Sequence, residues 1–288
     1  MSLFLKLRSY YDLVLFNLGR TKNQAQHDYL IYKIIKNNID NHIANSINNF
    51  NILDIGCGQR YPNVLLFSSF NNHVEGIDLE ILGKRFNVSK YRNILKYNGF
   101  EKLFKVFFRE LLFDNIYFKE LEKLNGKIFN NNFNLKYANA ENLPYTDDRF
   151  DIIISNAAFE HIPNVSKAVS EIKRVLKKGG LCHIEIHLFP SLSGGHNLRW
   201  AFPDKNPPKD IPPWDHLRQN KYPTHVYLNK LREKEYRNIF EKQLTILDWI
   251  TEYTEGEKFI TPEIATELNQ YSREELLKRS VIVIARKD

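Results

Sequence analysis

The first residues with a possible chemical role lie where a short apolar run meets a glycine turn. Residues 51–60 read Asn-Ile-Leu-Asp-Ile-Gly-Cys-Gly-Gln-Arg, which predicts a buried strand carrying Asp54 that leads into Gly56 and Gly58. Glycines at this spacing let the backbone turn sharply and approach a ligand at a point where a side chain would collide with it. The turn therefore predicts a ligand site at the end of the strand.

A second acidic residue follows at the end of the next predicted strand. Residues 74–78 read Val-Glu-Gly-Ile-Asp, so Asp78 stands where an apolar run stops. A carboxylate in this position can accept hydrogen bonds from both hydroxyls of a ribose. The glycine turn alone is weak evidence, but the turn and the acid together predict an adenosyl-type cofactor.

The composition is that of an ordinary soluble globular protein. The chain has 288 residues, of which 43% are hydrophobic and 26% charged, and this size fits one large domain or a core with insertions. Its two cysteines, Cys57 and Cys182, lie in apolar contexts, which argues against a disulfide framework or a zinc cluster and suits a reducing compartment. We therefore expect a cytoplasmic protein.

The positive charge is concentrated in one segment. The net charge is +7, and residues 81–133 hold eleven basic and five acidic residues. Such a segment could attract an anionic substrate or a membrane surface, or it could be a solvated helix face. The N-terminus is apolar and basic and also allows two interpretations. One is a helix that packs on the core or covers a cofactor, and the other is an interfacial membrane helix.

Strand-like and helix-like segments alternate along most of the chain. This alternation predicts a parallel sheet with right-handed crossovers, and the continuous apolar runs suit strands covered on both faces. The strands are predicted at residues 51–55, 73–78, 134–137, 150–156, 181–187, 244–250 and 280–286. Helices are predicted at residues 62–70, 165–176 and 261–277.

Two connections are far longer than an ordinary crossover. Residues 79–133 show helical spacing of apolar residues and predict a helical lid, while residues 188–243 hold most of the prolines and predict a substrate-facing insertion. Residues 1–50 are expected to form a helical cap on a core of residues 51–288. Within the second insertion, Trp200 and Trp214 could form an aromatic wall for a sugar or ring, or a satellite core.

In four stretches the chain resembles the class I S-adenosylmethionine-dependent methyltransferases that act on small molecules. The stretches follow in the family's order at residues 53–58, 76–78, 138–151 and 174–180. The resemblance implies a Rossmann-like, doubly wound α/β sheet of seven strands whose last strand is antiparallel, and S-adenosyl-L-methionine as cofactor. One departure is Arg60, which stands where many family members have a third glycine.

The resemblance also implies which residues contact the cofactor. Asp54 and the two glycines would border the methionine part, Asp78 would bind the ribose hydroxyls, and Asn156 would lie beside the methionyl end. The implied cofactor-binding residues are Asp54, Gly56, Gly58, Asp78, Leu79, Ala140, Glu141 and Asn156.

A hydroxyl acceptor needs a base, and histidine is the natural choice near neutral pH. We expect His196 to be the base, with His187 and then His161 as alternatives; the other interpretation is that these histidines order the insertion through hydrogen bonds. No metal is expected. Although His183, Glu185 and His187 share one face of a predicted strand, ligands on one straight strand rarely converge, and Glu160 is the only acid directly after the fourth strand.

The sequence as a whole favours a methyltransferase acting at oxygen on a small, glycosyl or lipid-like acceptor. Peripheral membrane contact through the N-terminal helix or the basic lid is an open possibility. A nucleic-acid methyltransferase is the main rival because the chain is basic, but residues 156–159 read Asn-Ala-Ala-Phe instead of an N/D-P-P-Y/F motif, and no RNA-binding module is visible. A non-catalytic scaffold that binds the cofactor is the third hypothesis.

Overall fold

The computed structural model describes residues 3–43, 46–80, 83–84, 86–129, 132–201, 203 and 207–288, with side chains from residue 19 onward. The chain divides into two compact units, Met1–Ala138 and Asn139–Asp288. In the described part, every helix is too short or too polar to cross a bilayer. The apolar side chains of the first 18 residues, which raised the membrane-helix hypothesis, lie outside the described residues.

The first unit holds three parallel strands in the order β3-β2-β1. Its elements are α1 (Leu3–Asp40), β1 (Asn51–Ile55), α2 (Pro62–Ser68), β2 (His73–Asp78), α3 (Val88–Arg109), α4 (Asn115–Asn125) and β3 (Phe133–Tyr137). The interior of the sheet leaves no room for an added side chain at Gly76, where a Cβ would stand 2.8 Å from both Cys57 Sγ and Val64 Cγ2. This close packing aligns β1 with β2, so that both strands end at the same edge.

The connection from β2 to β3 is helical where the structure describes it. Helix α3 is bent at Gly99, whose φ of 80° lies in the left-handed region, and a π-helical turn at Glu110–Asp114 joins α3 to α4. Glu110 is buried and holds the start of this connection by accepting hydrogen bonds from Lys90 Nζ, Tyr91 Oη and the backbone amide of Phe86. Whether this connection acts as a lid stays a prediction.

The second unit holds four strands in the order β4-β5-β7-β6. Its elements are β4 (Phe150–Asn156), α5 (Val165–Val175), β5 (Leu176–His187), α6 (Glu233–Glu241), β6 (Thr245–Thr254), α7 (Pro262–Glu267), α8 (Arg273–Leu277) and β7 (Lys278–Arg286). Strand β5 is parallel to β4, and β7 is antiparallel to both β5 and β6. The predicted fold class, a Rossmann-like α/β fold with seven strands and an antiparallel last strand, is therefore confirmed.

Two elements differ from the sequence-based expectation. Strand β5 begins at Leu176 and not at residue 181, because Lys177–Gly180 form an irregularity within the strand, with Gly179 at a φ of 77°. The helix predicted at residues 261–277 is two helices. The first, α7, ends at Glu267, and Ser272 caps α8 through a reciprocal pair of hydrogen bonds with Glu275.

The proline-rich insertion contains its own apolar core. Trp214 has no exposed surface and Trp200 only 3%, and they belong to a cluster with residues of the α7 and α8 region. The buried members of this cluster are Leu192, Trp200, Ile211, Trp214, Ile264, Leu268 and Leu276. The two tryptophans therefore form a satellite core and not an aromatic wall open to a ligand.

Candidate functional site

The loop after β1 is pinned to the end of β2. Gly56 and Gly58 have φ values of 73° and 68°, which only glycine adopts without strain. The backbone amides of Gly56 and Cys57 both donate to the carbonyl oxygen of Ile77, at 2.8 and 3.1 Å. The turn therefore lies directly beside the carboxyl end of the second strand.

Asp78 is fixed by two backbone amides. Its Oδ2 accepts a hydrogen bond from the amide of Gly58 at 3.0 Å, and its Oδ1 accepts one from the amide of Glu80 at 2.8 Å. A carboxylate oxygen has lone pairs for more than one donor, so Asp78 can still receive the hydroxyls of a ribose. Asp78 thus holds the glycine loop in place and can still accept further hydrogen bonds.

Asp54 is a buried acid with an unpaired oxygen. Asp54 is only 2% exposed, and its Oδ2 has no hydrogen-bond partner. Burial, reinforced by the negative charge of Asp78, raises the pKa of Asp54 to about 8. A buried carboxyl group in this state gains most from a cationic ligand, and the sulfonium and ammonium groups of S-adenosyl-L-methionine supply that charge.

Two cavities of the first unit flank this loop. One has a volume of about 660 Å³ and is lined by Leu79, Glu80 and Tyr137 together with residues of α3. The other, of about 610 Å³, is lined by Gly58 and by arginines that suit a carboxylate. These arginines are Arg20, Arg60 and Arg109. An apolar and aromatic pocket on one side and a basic one on the other fit the adenine and the amino-acid ends of the cofactor.

Arg60, which stands where many members of the resembled family have glycine, contacts the helical connection between β2 and β3. Its Nε lies 2.8 Å from Oδ1 of Asp114, and its guanidinium stands 4.6 Å from the ring centre of Tyr117. Arg109 binds the other oxygen of Asp114 at 3.2 Å and also contacts Gln59 of the loop. Arg60 therefore fastens the cofactor loop to the π-helical turn.

The remaining predicted cofactor residues belong to the second unit. Ala140 is buried, and the backbone amide of Glu141 is held by the side chain of Asn139 at 2.9 Å. Glu141 in turn accepts a hydrogen bond from the amide of Asn164 at 3.0 Å. Asn156 is the last residue of β4. Their contacts with the cofactor stay predictions.

The three histidines predicted as candidate bases lie together in the second unit. The ring centres of His161 and His196 are 4.9 Å apart, and those of His187 and His196 are 4.8 Å apart. His161 ends a short 3-10 turn after β4, His187 ends β5, and His196 follows in a turn with a φ of 54°. Three separate segments therefore build one histidine cluster, which we define as His161, His187 and His196.

Hydrogen bonds determine which ring nitrogens carry protons. Nδ1 of His161 lies 2.9 Å from the carbonyl oxygen of Tyr227, which can only accept, so Nδ1 carries the proton and Nε2 keeps its lone pair. The hydroxyl of Ser193 donates to Glu255 Oε1 at 2.6 Å, so Nε2 of His187, 3.0 Å away, is the donor to Ser193 Oγ.

Burial lowers the pKa of two of the three histidines, His187 and His196. Burial lowers the pKa of His196 to about 4, and the neighbouring His161 and Arg279 act in the same direction. Burial also lowers the pKa of His187, with His196 contributing. Glu160 lies 3.8 Å from Nε2 of His196, and burial raises the pKa of this acid to about 8. At pH 7 the free protein therefore holds His187 and His196 uncharged beside the protonated carboxyl group of Glu160.

Sequence reasoning missed the acidic partners of the cluster. Glu160 was noted only as a single acid after the fourth strand, although its position next to His161 is a signal that it could be found near a histidine site. Ser193 lies in the glycine-rich turn, and its contacts with His187 and Glu255 were not predicted. Glu255 lies 62 residues beyond Ser193, and no local pattern links the two.

Comparisons with known proteins show similarity to methyltransferases in one segment of the chain. Residues 103–184 match the family model of a methyltransferase domain. The uncharacterized methyltransferase YcgJ of Bacillus subtilis is 42% identical over 59 residues, which cover 20% of this chain and 23% of that protein. The ubiquinone/menaquinone biosynthesis C-methyltransferase UbiE of Pectobacterium atrosepticum is also 42% identical over 59 residues, covering 20% and 24%.

A solved structure shows the same fold. A candidate S-adenosylmethionine-dependent methyltransferase from Listeria monocytogenes aligns with a TM-score of 0.50 and 13% identity over 92% of this chain and 98% of that one. The alignment shows that the chain has the fold of that protein, and residues 103–184 are similar to the methyltransferase domain family. The curated relatives are matched over about a quarter of their length, so the reaction of the whole chain is inferred below.

Proposed function

We propose that this protein transfers a methyl group from S-adenosyl-L-methionine to a hydroxyl oxygen of a small glycosyl or lipid-like acceptor. The observation that carries the proposal is the carboxylate of Asp78 held against the amide of Gly58, with the unpaired acid of Asp54 one strand away. This arrangement offers acceptors for a ribose and negative charge for a cation. Both are required by an adenosyl sulfonium.

The protein contributes mainly binding and orientation to such a reaction. When bound, the cofactor would supply an activated methyl group for transfer to the acceptor oxygen, with S-adenosylhomocysteine as the leaving group. Asp78 holds the ribose, and Leu79 and Tyr137 offer apolar surface to the adenine. Asp54, once ionised, stabilises the positive charge of the amino-acid end. The arginines of the basic cavity pair with the cofactor's carboxylate.

The hydroxyl proton of the acceptor needs a destination. His161 suits this role because its Nδ1 proton is held by Tyr227, which leaves Nε2 unprotonated and able to accept. His196 was the first choice from the sequence, but burial lowers its pKa to about 4 and makes it the weaker base. We therefore assign the proton acceptor to His161 and a supporting role to His187 and His196.

The lipid-like character of the acceptor is supported by the surface of the helical connection. Large apolar side chains are exposed along α3 and the π-helical turn, and lysines lie between them. The exposed residues include Leu95, Tyr97, Phe100, Phe104 and Leu111, and the lysines include Lys96, Lys102 and Lys105. An apolar and basic face of this kind suits an acceptor carried at an anionic membrane surface.

A second candidate is methylation at carbon. UbiE is a C-methyltransferase of quinone biosynthesis, and a hydroxylated ring also loses a proton before or after it gains a methyl group at carbon. The histidine cluster could serve either reaction. The position of the new methyl group in the product decides between them.

The test uses the purified chain with cofactor labelled with ¹³C in the transferred methyl group. Acceptors are supplied as separate classes: sugars, phenols, prenylated quinols, lipid-linked sugars, RNA and DNA. Labelled methyl ether in the sugar or lipid classes supports the proposal, and a carbon-bound label in the quinol class selects the second candidate. Label in nucleic acid, or tight cofactor binding without transfer to any class, would favour one of the two rival hypotheses.

A further inference from the structure

We propose that Glu160, His187 and His196 bind a divalent metal ion of the zinc type. One ligand atom from each residue lies within 4.8 Å of the ligand atoms of the other two, and no other such group occurs in the part of the chain that the structure describes. The strand group of His183, Glu185 and His187 does not form; His187 instead joins residues from two other segments. The sequence-based expectation of no metal rested on that straight strand and on Glu160 being the only acid directly after the fourth strand.

The distances are close to those of a zinc site. Zinc binds histidine nitrogen and carboxylate oxygen at about 2.0–2.2 Å, which places tetrahedral ligands about 3.3 Å from one another. Nε2 of His196 and Oε1 of Glu160 are already 3.8 Å apart. Small side-chain rotations would therefore complete the three-ligand arrangement, and a fourth position stays free for a ligand from solution.

The burial of Glu160 points to a missing partner. Its side chain is only 3% exposed, yet neither carboxylate oxygen has a hydrogen-bond partner, and Nε2 of His196 has none either. Buried polar groups are normally paired, and leaving an acid unpaired is costly. A divalent cation would satisfy all three atoms at once.

The groups around the cluster suit a cation. Histidine binds metal through an unprotonated ring nitrogen, and Nε2 of His196 has no hydrogen-bond partner in the structure. Ser193 and Glu255 hold the second ring nitrogen of His187, as is usual for a metal-binding histidine. The nearby positive charge of Arg279 faces the carboxylate of Glu255, with its Nε 3.9 Å from Oε2, and the buried Glu185 adds an acid close to Glu160.

The catalytic role of the ion rests on the proposed function, whereas binding of the ion at this site does not. An ion with a free position beside His161 would bind the acceptor hydroxyl and lower its pKa, so that His161 could take the proton. The acceptor would then carry a second oxygen next to the methylated one, as a sugar diol or a catechol does. Transfer to acceptors with isolated hydroxyls would be slower.

The test is metal binding by the untagged, full-length protein. After dialysis against EDTA, Zn²⁺ is titrated by calorimetry, and Co²⁺ is titrated while its visible absorption is recorded. We expect one equivalent to bind, and we expect Glu160→Gln and His196→Gln each to weaken binding by about 100-fold or more, since losing even an outer partner of a ligand costs 10–100-fold. His225→Gln, an exposed histidine of the same insertion, is the control and should bind as the parent does.

Thermal unfolding separates lost binding from lost folding. Zn²⁺ should raise the melting temperature of the parent and of His225→Gln but not of the two ligand variants, whose own melting curves report whether they fold. Absence of stoichiometric binding by the parent, or unchanged binding in both ligand variants, would overturn the site. Zinc binding without methyl transfer would support the metal site and reject the proposed function. Methyl transfer after EDTA treatment, with no zinc bound by the protein, would support the proposed function and reject the metal site.

Discussion

Asp78 Oδ2 accepts a hydrogen bond from the backbone amide of Gly58 at 3.0 Å, although the two residues are 20 positions apart. The contact joins the loop after β1 to the end of β2 before any cofactor is present. The conformation of the glycine loop is therefore held by the protein itself. Preorganisation of this kind lowers the cost of binding.

Replacing Asp78 by alanine should weaken cofactor binding by about 1–3 kcal/mol, the usual cost of leaving polar partners without their hydrogen bonds. The substitution removes the ribose acceptor and frees the amides of Gly58 and Glu80. Titration calorimetry with S-adenosylhomocysteine measures the effect. Asp210→Asn, at an exposed carboxylate of the insertion, serves as the control. Equal affinity of parent and Asp78→Ala would remove the ribose assignment.

Cofactor affinity should rise with pH below about pH 8. The pKa of Asp54 is raised to about 8, so at pH 6–7 the free protein holds this acid protonated. A bound cation favours the ionised form, so binding releases a proton, and the binding constant should increase by up to about tenfold per pH unit until it levels off. Calorimetry in buffers of different ionisation enthalpy counts the released proton. Asp54→Asn should release none from this position.

The same acid should make the free protein less stable as pH rises. The unfolded chain has a pKa near 3.9 at Asp54 and the folded chain one of about 8, so folding retains the proton and the free energy of unfolding falls between about pH 4 and pH 8. At pH 7 the Asp54→Asn variant should be more stable than the parent by about 2–4 kcal/mol. Urea unfolding at pH 4 and pH 7 tests this. A stability gain of the same size at both pH values would contradict the explanation.

Replacing His161 by glutamine should slow methyl transfer by about 10²–10⁴-fold, the usual contribution of a general base. Cofactor affinity should stay the same, because His161 lies in the histidine cluster and not in the glycine loop. The rate is measured at saturating cofactor, and cofactor affinity is measured separately by calorimetry. His225→Gln is again the matched control. Full activity of His161→Gln would exclude it as the proton acceptor.

Asp114→Ala should destabilise the protein by about 1–3 kcal/mol, because it removes a carboxylate that is only 3% exposed and leaves Arg60 and Arg109 without their partner. Cofactor binding should weaken too, since the loop loses its tie to the π-helical turn. Urea unfolding and calorimetry measure the two effects. Glu101→Gln, which breaks an exposed ion pair with Lys105 on the same connection, should change neither.

The sequence predicted the sheet well because its signals are local. β1 and β2 have the predicted bounds, since continuous apolar runs between turn residues leave little choice. The helix predicted at residues 261–277 was divided by the capping pair of Ser272 and Glu275, a signal that is visible in the sequence. The irregularity at Lys177–Gly180 was not visible, because β5 extends beyond it through pairing with β4.

The candidate site was predicted in its parts but not as an assembly. Periodicity and strand ends placed His161, His187 and His196 near one edge, and the structure groups them. Glu160 is adjacent to His161 in the sequence, whereas Glu255 could not be predicted because it reaches the cluster from a segment 62 residues beyond Ser193. Burial, which sets the pKa of Glu160 and His196, depends on this packing and has no local signature.

The satellite core ties the proline-rich segment to a part of the chain that follows β6. Trp214 packs with Ile264 and Leu276, and the Cβ of an alanine at Gly256 would come within 3.2 Å of both Leu192 and Trp214. A graft of residues 188–243 alone into another enzyme would therefore leave behind three buried members of this core, Ile264, Leu268 and Leu276. Engineers who wish to exchange acceptor preference between such enzymes should move residues 255–277 together with the insertion, as one transferable block.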